Sequence, residues 1–226
     1  MQDQIISNNQ DKYMRPRRII LVRHGESIGN VDRNVYESVP DYKLVLSSLG
    51  RQQAVEAGKK LKAMIKEESS FFYISPHWRT RETFKYISES FESATIRTRE
   101  EPRIREQEWG HLRNLEEFKK IDKERAEFGR FYFRMPNGES PADVYDRVSD
   151  FFGTLHRDFD KQAFPENCII ITHGMTIRLF LMRWFHWTVE EFEEIKNPDN
   201  CAVIIMEKQE NGRYKLVTEL EKKELL

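Results

Sequence analysis

Two short stretches of the 226-residue chain carry the same order of residue types. Residues 19–25, IILVRHG, and residues 168–174, CIIITHG, each run from an apolar segment through a polar residue to a histidine and a glycine. Such apolar segments are typical of buried parallel strands, so His24 and His173 are each expected just past the carboxyl end of a strand. In open α/β sheets that edge is where ligands bind. The pattern therefore predicts that the two imidazoles meet at one site.

Two arginines are expected at the same edge of the sheet. Arg23 precedes His24, and Arg79 follows a third apolar run, residues 71–74, at the beginning of a predicted helix. A guanidinium presents a planar fork that matches phosphate oxygens, and the start of a helix near Gly174 adds backbone N–H donors. This set suits a phosphoryl group. It does not suit a metal ion, because the arginines would repel a divalent cation at short range, and we predict neither a metal nor a cofactor.

Catalysis at such a pocket would need a nucleophile and a proton carrier. A neutral histidine can form a covalent intermediate with the transferred group, and nearby arginines both disfavour the imidazolium and stabilise charge on that group. The proton carrier is expected to be a carboxyl group at the mouth of the pocket. Residues 101–110, EPRIREQEWG, offer Glu106 and Glu108, and the residue types alone leave both open.

Five motifs follow one another along the chain: LVRHGES with Asn30, SPHWRTRET, REQEWG, PNGES and IITHG. In this order they resemble the histidine phosphatase superfamily, in its phosphoglycerate-mutase-like branch, over about residues 18–180. RIREQEWG, FGRFYFRMPNGESPADVYDRVSDF and RLFLMRWF are most similar to plant phosphoglycerate-mutase-like proteins and a fungal broad-range acid phosphatase.

The resemblance implies a three-layer α/β/α sandwich with a mainly parallel central sheet. It implies that His24 accepts the phosphoryl group and that Glu106 gives and takes the proton. It further implies roles in holding the phosphoryl oxygens for Arg23, Arg79, His173, Asn30 and the backbone N–H of Gly174. No metal would be needed.

Three functions remain open at this point: a phosphomonoester hydrolase, a phosphoglycerate-type mutase, and a module that binds phosphorylated ligands without cleaving them. The mutases of the family carry a longer stretch between the acid motif and the GES motif, whereas only 27 residues, 111–137, separate Gly110 from Gly138 here. A pure binder has no need of Glu106, whose carboxylate would repel a phosphate dianion. We therefore favour the hydrolase.

The overall charge excludes some partners. Lys and Arg number 37 and Asp and Glu 38, so no global basic field is present to attract nucleic acid. No apolar run approaches the length that spans a bilayer, and the first residues lack the apolar core of a signal peptide. We expect a phosphorylated small molecule or other phosphoester as substrate, a cytoplasmic location that could include the nucleus, and no nucleic-acid or membrane partner. The oligomeric state is not predicted.

The chain reads as a flexible tail, residues 1–16, followed by a single domain, residues 17–226. A capping box predicts a helix from Ser140, with Pro141 in its first turn and Asp143 as the reciprocal partner, and Asn211-Gly212 predicts a hairpin turn. Residues 103–137 are a candidate lid over the active site, and within them FGRFYFR, residues 128–134, either covers the pocket or packs a helix against the core. The four remaining histidines are expected at the surface or an interface: His77, His111, His156 and His186.

Overall fold

The computed structural model describes residues 15–92, 95–110, 115–161 and 163–223. In these ranges a six-stranded sheet has the order β3-β2-β4-β1-β5-β6. The strands are β1 (Arg18–Arg23), β2 (Ser70–Ile74), β3 (Ile96–Glu100), β4 (Asn167–Thr172), β5 (Val203–Lys208) and β6 (Tyr214–Leu216). The first four are parallel to one another. β5 pairs antiparallel with β1, and β6 pairs antiparallel with β5.

Helices alternate with the parallel strands. They are α1 (Ile28–Val31), α2 (Ser48–Ile65), α3 (Trp78–Ser88), α4 (Leu115–Phe128), α5 (Pro141–Phe159), α6 (Gly174–Phe185) and α7 (Val189–Glu194). Within the described ranges, short 3₁₀ turns cover Arg33–Glu37, Asp41–Lys43 and Pro102–Ile104. None of the helices in the described ranges is long and apolar enough to cross a membrane.

Alternate side chains of the central strands enter two separate apolar cores. Ile19 and Leu21 of β1 pack with α5 and α6, whereas Ile20 and Val22 pack with α2 and α3, and all four are fully buried. A strand covered by helices on both faces must be apolar along its whole length, which is why these runs show no alternation in the sequence. The three-layer α/β/α arrangement with a mainly parallel sheet is thus confirmed.

The local signals for helix α5 and for the hairpin are also confirmed. The Ser140 hydroxyl accepts a hydrogen bond from the backbone N–H of Asp143 (3.2 Å), and the Asp143 carboxylate accepts one from the backbone N–H of Ser140 (2.7 Å). β5 and β6 pair antiparallel on either side of Asn211-Gly212. β3 begins two residues later than the expected strand over residues 94–98, and α4 had no counterpart in the sequence prediction.

The strand order brings distant loops together at one edge. The chain crosses from β1 past the position of β4 to reach β2, so the carboxyl ends of β1, β4 and β2 are adjacent. This is the kind of switch point at which open sheets leave a crevice. The loops that follow these strands therefore share one space. Of the expected tail, only residues 15 and 16 lie inside the described ranges.

The capping box generates a stability prediction. The Ser140→Ala variant should lower the free energy of unfolding by about 1 kcal/mol, because the first turn of α5 loses an acceptor for its N–H group. Urea denaturation measures this loss. Ser149→Ala in the same helix is the control: its hydroxyl bonds the Tyr145 carbonyl at 2.8 Å within the helix, and alanine favours helix. That variant should change the free energy by less than about 0.5 kcal/mol, and equal losses in both would contradict the capping role.

Candidate active site

His24 lies directly beyond β1 and is 3% exposed. Its backbone N–H donates to the Thr172 carbonyl of β4 at 3.0 Å, which fixes the residue at the edge of the sheet. Its Nδ1 lies 2.7 Å from the Gly25 carbonyl oxygen, and because a carbonyl can only accept, Nδ1 carries the proton of this bond. Burial, with the charges of Arg79 and Arg23, lowers the pKa of His24 well below its ordinary value. The ring is neutral, and Nε2 retains a free lone pair.

His173 lies beside it. The residue precedes α6, is fully buried, and its ring centroid is 5.2 Å from that of His24. Its Nε2 is 2.7 Å from the hydroxyl of Ser75, the residue that follows β2. Burial lowers the pKa of His173 well below its ordinary value, and the charge of Arg79 lowers it further. Two neutral imidazoles therefore stand next to each other at the ends of neighbouring strands.

The two arginines are held differently. Arg23, the last residue of β1, donates from Nη1 to the Pro198 carbonyl at 2.6 Å. Arg79, in the first turn of α3 and 3% exposed, donates from Nη1 and Nη2 to the two carboxylate oxygens of Asp41 at 2.9 and 3.1 Å. The sequence analysis did not predict Asp41. Both guanidinium charges act on His24 and on Glu106, so both lie at the pocket.

Glu106 points into the pocket, and Glu108 does not occupy an equivalent place. The Glu106 side chain is 13% exposed, with Oε2 at 3.9 Å from His173 Nδ1 and Oε1 accepting from the backbone N–H of Gln107 at 2.9 Å. Burial raises the pKa of Glu106, while Arg79 and the Gln107 N–H act in the opposite direction. Glu108 is exposed, and its backbone pairs with Glu139. The geometry favours Glu106 as the proton carrier.

The expectation that His77 lies at the surface or an interface is wrong. His77 is 8% exposed and its ring packs edge-on against His173, with centroids 4.9 Å apart. Its Nδ1 is 3.5 Å from Asp41 Oδ2. Burial, and then the charge of Arg79, lowers its pKa to about 4. The sequence held a sign of this, since the resemblance implies an aliphatic residue at the point where His77-Trp78 precede the arginines.

The two predicted contact residues lie at the rim and the floor of the site. Asn30 is exposed, and its side-chain oxygen accepts from Ser27 and, at 3.4 Å, from Asn200. The same Asn200 amide donates to the His24 carbonyl at 3.0 Å, so Asn30 lies close to His24. Gly174 is buried at the first position of α6. His156 is half-buried against Trp184 and His186 is exposed, while His111 lies outside the described residues.

Several buried nitrogen atoms around His24 lack a partner. In the described part of the chain, Arg23 Nε, His77 Nδ1 and His173 Nδ1 are buried and make no hydrogen bond. A buried N–H group that is unpaired is costly, so such groups in native proteins usually meet an acceptor. An anion with several acceptor oxygens satisfies those of these nitrogens that carry a proton and face it. The described ranges contain no cluster of three or more His, Cys, Asp or Glu side chains arranged to hold a metal ion.

Comparisons with known proteins agree with this arrangement. The sequence profile of the histidine phosphatase superfamily (branch 1) matches residues 19–219. The phosphoglycerate mutase-like protein AT74H of Arabidopsis thaliana is 44% identical over 232 residues, which covers 96% of this chain and 83% of that protein. The broad-range acid phosphatase DET1 of Saccharomyces cerevisiae is 32% identical over 302 residues, which covers 92% of this chain and 90% of that protein. The chain is a member of the histidine phosphatase superfamily.

A solved structure of the mycobacterial glucosyl-3-phosphoglycerate phosphatase has the same fold. It superposes with a TM-score of 0.71 and 20% sequence identity over 90% of this chain and 98% of that one. At this identity the likeness concerns the fold alone.

In this member of the superfamily, a polar clamp holds the loop that carries Glu106. Carbonyl groups of four successive residues accept hydrogen bonds from side chains of β4, α5 and α6. Arg147 of α5 donates to the carbonyls of Arg103 (2.6 Å), Arg105 (2.9 Å) and Glu106 (3.0 Å). Thr172 donates to the Ile104 carbonyl at 2.6 Å, and Thr176 to the Arg105 carbonyl at 3.0 Å. The backbone that positions the Glu106 carboxyl is thereby fixed from two sides.

The PNGES motif belongs to the same clamp. The Glu139 carboxylate accepts from Nε and Nη2 of Arg147, both at 3.0 Å, and from Arg105 at 2.6 Å. Its backbone N–H donates to the Glu108 carbonyl at 2.8 Å. Gly110 has a φ of +76°, and a Cβ there would overlap the Pro136 carbonyl, so only glycine lets the two loops approach this closely. The motif alone does not indicate this role, and Arg147 was not predicted from the sequence.

The region of the expected lid lies partly within the described ranges. Helix α4 lies beside the loop that carries Glu106, because the ring centroids of Phe118 and Trp109 are 6.1 Å apart. The guanidinium carbon of Arg33 lies 5.5 Å from the centroid of the Phe118 ring. In FGRFYFR, Phe131 is buried and meets the Phe192 ring at 5.6 Å, which is the core-packing alternative for that side chain. Phe128 and Tyr132 remain 69% and 62% exposed. The lid itself stays a prediction, and residues 111–114 lie outside the described ranges.

The buried His77 generates a prediction for pH dependence. Its pKa is lowered to about 4 in the folded protein, so between that value and its ordinary pKa only the unfolded chain binds the proton. Stability should therefore fall as the pH is lowered through this window, by about 1.4 kcal/mol per pH unit for one such group. The charges of Asp41, Arg79, Arg105 and Arg147 act on the same imidazole, that of Asp41 raising its pKa and those of the arginines lowering it.

Urea denaturation of wild type and His77→Gln between pH 7 and pH 5 tests this prediction. The two proteins share the other buried groups, including Glu106, whose raised pKa gives a slope of opposite sign. The slope of the unfolding free energy against pH should therefore be smaller in the variant than in wild type, by the amount that the titration of one group contributes. Parallel curves would show that His77 titrates alike in the folded and unfolded states.

Proposed function

We propose that the protein is a metal-independent phosphomonoester hydrolase that works through a phosphohistidine intermediate on His24, with Glu106 as the proton donor and acceptor. The observation that carries the proposal is the state of the His24 ring. Its Nδ1 proton is held by the Gly25 carbonyl, which leaves Nε2 unprotonated in a pocket that also contains Arg23, Arg79 and His173. Nucleophilic attack on phosphorus requires a neutral imidazole that has one unprotonated nitrogen.

In the first step Nε2 of His24 attacks the phosphorus atom, a P–N bond forms, and the bond from phosphorus to the leaving oxygen breaks. Glu106 gives its proton to that oxygen, which its raised pKa allows. The charge on the transferring group is stabilised by the two guanidiniums and by the unpaired Nδ1 of His173. These groups are already in place, so little reorganisation accompanies the reaction.

In the second step a water molecule attacks the phosphorus atom and the P–N bond breaks. Glu106, now a carboxylate, accepts the proton from that water, and His24 returns to its neutral form. The relatives support hydrolysis as the outcome, since the yeast protein that is 32% identical is a broad-range acid phosphatase. The substrate in this proposal is a phosphorylated small molecule or another phosphoester. The arginines make a bound divalent cation unfavourable at this place, which supports metal independence.

The first test concerns the nucleophile. With p-nitrophenyl phosphate and EDTA present, wild type should turn over, and His24→Ala should lose at least about a thousand-fold in kcat/KM, because it lacks the nucleophile of the proposed intermediate. An alkaline quench with ³²P-labelled substrate should trap phosphohistidine, which survives base, in wild type and not in the variant. His156→Gln, which removes a histidine far from the pocket, is the control and should keep wild-type activity. Full activity in His24→Ala would contradict the mechanism, and EDTA-sensitive turnover would contradict metal independence.

The second test concerns the proton carrier and the choice between the two glutamates. Glu106→Gln should lower kcat/KM for an alkyl phosphate by about 10² to 10⁴, because an alkoxide cannot leave without a proton. The loss should be smaller for p-nitrophenyl phosphate, since nitrophenolate leaves unprotonated. Glu108→Gln is the matched control and should be near wild type with both esters. A large loss in Glu108→Gln alone would reassign the role, and release of inorganic phosphate should be measured directly to distinguish hydrolysis from transfer.

A further inference from the structure

Asp41 is the acidic residue that binds Arg79. It belongs to none of the sequence motifs, and its position in the sequence did not indicate that it lies at the site. It begins the 3₁₀ turn Asp41–Lys43, between α1 and α2. Its carboxylate accepts hydrogen bonds from Nη1 and Nη2 of Arg79 at 2.9 and 3.1 Å, and its backbone carbonyl accepts a further hydrogen bond from Nη1 at 2.8 Å. A carboxylate beside a phosphate site could either compete with the ligand or hold the arginine for it.

The protons of the guanidinium decide between these two roles. Arg has five N–H donors in a rigid plane, and three of those in Arg79 go to Asp41. The carboxylate occupies the outer fork, formed by Nη1 and Nη2. The remaining donors, Nε–H and the second Nη2 proton, lie side by side and form a second fork that matches two phosphate oxygens. Among the described residues, no hydrogen bond uses this second fork.

The segment that carries Asp41 is firmly held against the helix that carries Arg79. Leu44 and Leu46 are buried, and the backbone N–H of Leu46 donates to the Glu82 carboxylate of α3 at 2.6 Å. The backbone N–H of Ile28 donates to the Val45 carbonyl at 3.0 Å. A competing carboxylate would have to leave when a ligand binds, whereas this one is fixed to the same helix as its partner.

The charges around the site fit the same role. Arg79 is the strongest charge acting on His24, on His173 and on Glu106. The direction in which its guanidinium is held therefore affects the nucleophile, the second histidine and the proton carrier together. Asp41 also acts on Glu106 with the opposite sign, raising the pKa of that carboxyl group.

We infer that Asp41 is a positioning residue. It binds the outer fork of Arg79 and thereby orients the second fork, formed by Nε–H and the second Nη2 proton, toward the phosphoryl group of the substrate. The inference rests on the proposed function, because it assigns Arg79 to the phosphoryl oxygens. It extends that function by adding a residue that acts through Arg79 and does not itself touch substrate.

A double-mutant cycle between Asp41 and Arg79 tests the inference. The proteins are wild type, Asp41→Ala, Arg79→Ala and the double variant, with Asp41→Asn and Asp41→Glu as graded changes. The affinity for inorganic phosphate is measured by calorimetry, and kcat and KM with p-nitrophenyl phosphate. Glu37→Ala removes an exposed carboxylate from the same stretch of chain, has no catalytic role here, and should match wild type.

Asp41→Ala should weaken phosphate binding and lower kcat/KM about ten- to a hundred-fold, the effect expected of a misplaced binding group. In the Arg79→Ala background the same change should have less than about a two-fold effect, because the residue it acts through is absent. Asp41→Glu should recover part of the loss and Asp41→Asn less, since only the glutamate restores a charged two-oxygen acceptor.

Tighter phosphate binding in Asp41→Ala would show a competing carboxylate and overturn the inference. Equal losses in both backgrounds would also overturn it, since Asp41 would then act independently of Arg79. If wild type binds phosphate but does not turn over, the proposed hydrolysis fails, and the phosphate-binding cycle alone still decides the role of Asp41. If Asp41→Ala does not fold, the same cycle is carried by Asp41→Asn.

Discussion

The charge of the Arg79 guanidinium acts on His24, His173 and Glu106 at the carboxyl edge of the sheet. It adds to burial in lowering the pKa of His24 and of His173, and it opposes burial at Glu106. Burial and this cation together disfavour the charged form of both imidazoles, and the cation limits how far burial raises the pKa of the Glu106 carboxyl group. A buried charge of this kind is stable only when it is paired, and the carboxylate of Asp41 supplies the pair. The position of that ion pair therefore contributes, together with burial, to the protonation of the site.

The fold supplies rigidity where the chemistry needs it by satisfying backbone groups instead of adding apolar contacts. The loop after β3 runs partly buried along the end of the sheet, so its carbonyl groups need donors within the protein. Arg147, Thr172 and Thr176 provide them, and Glu139 compensates the charge of Arg147. The loop that carries Glu106 is thus fixed through four consecutive carbonyl groups. The PNGES motif, through Glu139, supports that loop.

What the sequence could predict depended on how local the physical cause is. The apolar runs before His24 and His173 and the capping box at Ser140 are local patterns, and the structure has the strands and the helix where they indicate. Helix α4 was missed because its sequence, LEEFKKIDKERAEF, has few apolar residues and no clear cap. The contact between Asp41 and Arg79 spans 38 residues and depends on the path of an irregular loop, which no periodicity encodes. Arg147 sits next to Val148 of the apolar stripe, and the sequence marks it only as a polar neighbour.

The same charges make the proton on Glu106 depend on the ligand. The charges that act most strongly on this carboxyl group are Arg79, Asp41 and Arg23, two cations and one anion, and the two cations favour its ionised form. A phosphoryl dianion placed between the arginines and His24 would cancel most of that positive charge, which raises the pKa of Glu106 further. In the proposed mechanism, binding of the substrate therefore favours the protonated acid at the moment when a leaving oxygen needs the proton. Once the leaving group has departed with that proton, the phosphorylated imidazole of His24 would carry a positive charge beside the two negative oxygens, so the net charge is less negative than that of the substrate and the carboxylate is again favoured as the base that activates water. In this way the electrostatics of one arginine pair suit Glu106 to both halves of the reaction.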